Sequence, residues 1–111
     1  MERKYTVDKA LFLQIGRILQ KSFKRSWLGK VELSVSGGHL TIDCEMGGGV
    51  VPCKGDGKAS AALSATSFVT LLAAHGREKN PTGEIPLVFR LDPPEVAVDK
   101  AGVKAIKILI G

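Results

Sequence analysis

At 111 residues and 11.8 kDa, one domain with a real core is the natural count. The 44% hydrophobic and 24% charged fractions are those of a globular protein and exclude a disordered one. Sixteen Lys plus Arg against eleven Asp plus Glu leave a net charge of +5, which admits nucleic-acid or anionic-surface partners without requiring them.

The opening MERKYTVDK carries charges and no uninterrupted apolar run, so no cleaved signal peptide is expected, and no stretch approaches a membrane span. Cys44 and Cys53 lack CxxC spacing and histidine-rich neighbours. A cytoplasmic location with reduced thiols is therefore expected, a Cys44–Cys53 disulfide being the alternative if their strands are neighbours.

Arg3 to Val7 predicts a short strand, and Asp8 or Thr6 caps a helix running to about Lys24. At about 100° per residue, Leu11, Phe12, Ile15, Ile18, Leu19 and Phe23 gather on one side. Arg17, Gln20, Lys21 and Lys24 gather opposite, with Lys9 at their margin. Leu13 interrupts the polar side, and Gly16 weakens the helix by up to about 1 kcal/mol relative to Ala. Lys24 to Gly29 is a connector whose Trp27 is expected to cover the core.

Val31–Met46 is the clearest stretch. Val31, Leu33 and Val35 alternate with polar residues, as do Leu40, Ile42, Cys44 and Met46, which is the signature of strands with one buried face. A Gly37-Gly38 turn pairs Ser36 with His39, so Val35 meets Leu40, Leu33 meets Ile42 and Val31 meets Cys44. The same register sets Glu32 against Asp43, partly relieved by Lys30 opposite Glu45.

Gly47-Gly48-Gly49 reads as a bend and Val50 to Cys53 as a strand, with Pro52 favouring an edge or bulge. Lys54 to Lys58 is a turn, and Ala59, Ala61 and Leu63 are weakly strand-like. Ser64 or Thr66 caps a second helix over Ser67 to His75, with Phe68, Leu71 and Leu72 inward and Gly76 as its stop. Arg77 to Gly83 is a polar loop. Ile85 to Leu91 is a strand that Pro86 displaces from a central place at one end. After Asp92-Pro93-Pro94-Glu95, Val96 and Val98 continue the chain. Lys100-Ala101-Gly102 turns it, and Val103 to Ile110 closes it with Ile106, Ile108 and Ile110 on one face. Two helices and about eight strands joined by short turns predict an α+β fold, the sheet largely antiparallel and the helices on one face.

YTVDKALFLQIGRILQ, VELSVSGGHLTID, SATSFVTLLAAH and EIPLVFRL…EVAVD…VKAIKI, in that order, resemble one domain of the replicative DNA sliding clamps. The resemblance spans nearly the whole chain and rests on hydrophobic patterns. It implies a single clamp-like domain over residues 1–111, replication proteins as partners, and a helix whose Arg17, Lys21 and Lys24 face duplex DNA, with Arg25 just beyond. Clamps build each subunit from two or three such domains and close a ring with six, whereas this chain has one. The family's peptide pocket lies between domains, so none of its residues carries over. The second helix has Ser67, Thr70 and Ala74 but no Lys or Arg.

Enzyme signatures are nearly absent. Gly57-Lys58-Ala59-Ser60 fails the phosphate-loop pattern, because no Ser or Thr follows the Lys directly and Pro52 stands where the first Gly belongs. His39 and His75 have no ligand or nucleophile at motif spacing. Glu32, Asp43 and Glu45 share a polar face, better read as solvated than as a cation site. Arg17, Lys21 and Lys24 form a stripe able to follow phosphates, without the interleaved aromatics of a single-strand platform. The expectation is a sequence-independent duplex DNA-binding or processivity-type module with no covalent chemistry, no cofactor, no metal and no membrane partner. Self-association through the Val103–Ile110 sheet edge accompanies it. The alternative is a protein-interaction or regulatory module that caps or mimics a replication component.

Overall fold

The computed structural model describes residues 1–22, 29–45, 47–75 and 82–111. In chain order the elements are β1 (Glu2–Asp8), α1 (Lys9–Ser22), β2 (Lys30–Ser36), β3 (His39–Cys44), β4 (Gly47–Lys54) and β5 (Ala59–Ser64). They continue with α2 (Ala65–Ala73), β6 (Glu84–Arg90), β7 (Glu95–Val98), β8 (Ala101–Lys104) and β9 (Lys107–Ile110). The fold is α+β, with every pairing antiparallel in the order β8-β7-β6-β1-β4-β3-β2-β5-β9.

The β2–β3 hairpin has the register that its alternation dictates: Val31 opposite Cys44, Leu33 opposite Ile42, Val35 opposite Leu40. Gly37 and Gly38 both take positive φ, 59° and 82°, as a primed turn requires. Glu32 does face Asp43, and both side chains are exposed, where water screens the repulsion.

β4 departs from expectation twice. Its three glycines are strand, not bend, because Gly47, Gly48 and Gly49 pair with Cys44, Asp43 and Ile42. Pro52 sits inside this central strand. The amide of the next residue, Cys53, donates to Gly38 O at 2.9 Å on the β3 side. Strand alternation then points the Pro52 nitrogen toward β1, whose pairing with β4 begins only at Cys53. The missing donor therefore costs no ladder bond.

Among the described residues the two halves of the sheet are paired, strand to strand, through Cys53–Val7 and Lys54–Thr6. The halves fold toward each other about that narrow seam. Nine strands at about 4.8 Å spacing would lie roughly 38 Å across if flat, yet the molecule measures 34 × 30 × 23 Å. The chain also passes from β8, at one end of the order, to β9, at the other, through Ala105 and Ile106 alone. Such a link spans at most about 11 Å, so the two edges must meet at that corner. Ala105 N donates to Pro94 O and Ile106 N to Ala62 O, holding the corner to both halves. The expected single strand over Val103–Ile110 is thus two strands, which makes nine among the described residues. Ile108 is buried, whereas Ile106 is more than half exposed.

One apolar cluster fills the concave side, with Phe12, Phe68 and Phe89 fully buried and Tyr5 edge-on to Phe89 at 5.8 Å. Asp8 caps α1, its Oδ1 accepting from Leu11 N, and Ser64 caps α2 by accepting from Ser67 N. α1 is turned by roughly 60° from the expected face, at about 100° per residue. Leu13 is buried, while Leu11 and Ile18 are exposed. Two close approaches set this rotation. A Cβ on Gly16 would stand 2.3 Å from Leu72 Cδ2 of α2, and a Cβ on Gly49 of β4 would stand 2.8 Å from Ile15.

Candidate nucleic-acid interface

α1 and α2 pack side by side and present one surface. From α1 it carries the exposed Leu11, Gln14, Arg17, Ile18 and Lys21, and from α2 the exposed Thr66, Thr70 and Ala73. Neither helix contains an Asp or a Glu, whereas α1 contains Lys9, Arg17 and Lys21. With no Asp or Glu within α1, none of these cations faces a carboxylate three or four residues away on its own helix. Arg17 and Lys21 are one turn apart, about 6 Å along the axis. Lys24 and Arg25, the other two expected contacts, lie outside the described residues, as do Phe23 and Trp27.

α2 supplies hydroxyls rather than cations. Thr70 Oγ1 donates to Thr66 O at 3.0 Å, an intrahelical bond that leaves its lone pairs turned outward, and Thr66 is exposed beside it. Because that bond takes the Thr70 proton, the Thr66 hydroxyl is the one left able to donate to a phosphate oxygen, and neither threonine adds charge. The charge pattern of the helices was readable in the sequence. The exposure of Leu11 and Ile18 was not, because it follows from the contacts of Gly16 and Gly49.

The remaining candidates have other duties. Lys54 is paired with Glu84 at 2.6 Å; this bond holds the carboxyl below and the ammonium above their usual ranges. The Gly55–Lys58 turn is tied to β1, since Tyr5 Oη donates to Gly57 O at 3.2 Å and the Arg3 guanidinium lies against Gly57. That turn directs a carbonyl inward to Tyr5 instead of offering amides to a phosphate. His39 Nδ1 lies 3.1 Å from Gly37 O within its own hairpin turn, and His75 Nε2 lies 3.4 Å from Val98 O. Among the described residues no three His, Cys, Asp or Glu side chains are grouped to hold a metal ion.

Both cysteines are free thiols. Cys53 is core, and burial pushes its thiol pKa up; Cys44 donates its S–H to Gly47 O at 3.2 Å. The convex face of β2, β5 and β9 carries a shallow trough of about 340 Å³ lined by Glu32, Ser34, Ser60, Ala62, Lys107 and Leu109. No described helix is long and apolar enough to cross a membrane. In comparisons with family models, with curated proteins and with solved structures, the chain matched none.

Proposed function

We propose that this chain is a non-enzymatic, clamp-like module that contacts duplex DNA without sequence preference through the surface made by α1 and α2. The observation that carries the reading is the charge pattern on the exposed side of α1: Arg17 and Lys21 one turn apart, with no carboxylate on either helix. Cations spaced along a helix match phosphates, which carry charge but no base identity. A cytoplasmic setting with reduced thiols suits it, and replication proteins are the natural class of partner for such a module. Self-association through the open edge of β9 would multiply weak contacts along a duplex.

The test is DNA retention as a function of salt. If Arg17, Lys21, Lys24 and Arg25 each neutralise one phosphate, log K falls against log salt with a slope of about −3.6 per domain. Affinities for unrelated duplexes should agree within experimental scatter. Arg17→Glu with Lys21→Glu should abolish retention and leave the fold intact, both side chains being exposed. Replacing Lys54 and Lys58 should matter much less. A wild type that is not retained even at low salt, or equal loss in both double variants, refutes the reading. A second reading, a protein-interaction or regulatory module, is favoured by one observation: Ile18 is 60% exposed on this same surface, and phosphates give it nothing to pack against.

A further inference from the structure

We propose that the outward face of α1 is a docking site for an acidic amphipathic helix of a partner protein. Ile18 is 60% and Leu11 39% exposed. They stand seven residues apart, about two turns, with Gln14 between them, so they share one stripe. Single exposed apolar residues need no explanation, but an aligned pair on one helix is the pattern that a partner helix reads at i and i+7. The exposed Lys21 flanks the stripe on one side, one turn beyond Arg17, and the stripe itself, Leu11, Gln14 and Ile18, carries no carboxylate. The complementary ligand therefore combines apolar anchors with glutamates or aspartates along one margin.

The stripe is held out by the fold. Gly16 against Leu72 and Ile15 over Gly49 fix the rotation of α1, so Ile18 cannot turn into the core without undoing both contacts. A membrane surface would use the same residue types, but it needs a broad apolar face. The broad apolar face of α1, made by Phe12, Leu13 and Leu19, is already buried. A partner helix needs only the narrow stripe that remains.

The probe is a designed helical peptide of about 18 residues with leucines at i, i+4, i+7 and i+11 and glutamates along one margin. It is titrated onto the full chain by fluorescence anisotropy at moderate salt, without DNA, so the outcome is separate from the DNA reading. Saturable binding is expected. Ile18→Ser should weaken it about tenfold and Leu11→Ser by about threefold, as loss of interface anchors does. Unchanged thermal midpoints should show that both variants fold. Arg17→Glu with Lys21→Glu should weaken it further, and a peptide with serines for leucines should not bind. Absence of saturation at about 1 mM peptide, undiminished binding by both serine variants, or equal binding of the serine peptide overturns the proposal. Binding to phosphatidylserine vesicles without binding to the peptide overturns it in favour of a membrane surface.

Discussion

Gly16 shows how a residue acquires a meaning that its neighbours in sequence do not give it. Helix propensity marks it as a weak point, worth about 1 kcal/mol against Ala, whereas in the fold it is where α2 touches α1. An alanine there would gain propensity but must displace Leu72, whose Cδ2 lies 2.3 Å from the new methyl position. Because the obstacle is the end of a flexible side chain, the net cost should be modest. We expect Gly16→Ala to lower stability by about 1–2 kcal/mol in urea titration, and Leu72→Ala in the same chain to relieve that strain. The coupling energy of the double-variant cycle should be clearly non-zero. The thiols give a second expectation at this scale. Cys53 is buried with its pKa raised by desolvation, so in the native state it holds little thiolate. Cys44 is only partly buried. With iodoacetamide near pH 8, mass spectrometry should show one modification at Cys44 long before a second at Cys53. Simultaneous modification would mean that β4 opens as fast as the reagent reacts.

Among the elements, β2 and β3 were legible down to their register, because two periods of alternation and a two-residue glycine turn admit one pairing. β4 was not. Three glycines read locally as a bend, but Gly48 is pressed against the Ile42 carbonyl and Gly49 lies beneath Ile15. The need for a bare backbone comes from tertiary neighbours. The β1–β6–β7–β8 half carries a device that becomes visible only once the strands are aligned. Glu2 stands opposite Arg90, Arg90 opposite Glu95, and Glu95 opposite Lys104, charges alternating across four strands. Arg90 reaches both carboxylates, at 3.3 Å to Glu2 and 2.6 Å to Glu95. Any register slip would break several such pairs at once. Arg90→Glu places three carboxylates in a row and should cost about 1–2 kcal/mol, more than Arg90→Met; equal losses would reduce the ladder to its packing. The acid side has a fixed sign. The Glu2 carboxyl is held below its ordinary value by Lys4 and then by Arg90, and that of Glu84 by Lys54. A depressed carboxyl stabilises the fold above its unfolded value, near 4.5, and loses that contribution as pH falls through the folded value. The urea midpoint should therefore hold from neutrality to about pH 5 and fall below it, with a shallower fall in Glu2→Gln and Glu84→Gln.

For the molecule as a whole, the decisive feature is the corner at Ala105 and Ile106, which brings together the two ends of a nine-strand order. Sequence periodicity joined Val103 to Ile110 as one strand because Ile106, Ile108 and Ile110 alternate along it, and nothing local marks the change of partner. Ile108, in the middle of that expected edge, is no probe of it. In the fold Ile108 is 6% exposed, so Ile108→Lys would destroy packing whatever the edge does. The open edge can be identified from the ladder instead. Gly111 N donates to Lys58 O, and two-residue alternation from that bond points Leu109 and Lys107 toward β5. The amides and carbonyls of Ile108 and Ile110 then point away from it. β5 is the strand that pairs with β9 among the described residues, leaving this row to accept another strand. Leu109 and Ile106, each 55% exposed, flank the row without being core. We therefore expect Leu109→Lys with Ile106→Lys to keep the thermal midpoint close to wild type. If copies pair through β9, this variant should lower the mass measured by light scattering at high concentration, because added lysines on an edge oppose strand pairing. A wild type that stays monomeric at the highest attainable concentration, or a variant that associates as well as wild type, would show that β9 is no docking edge for a second copy.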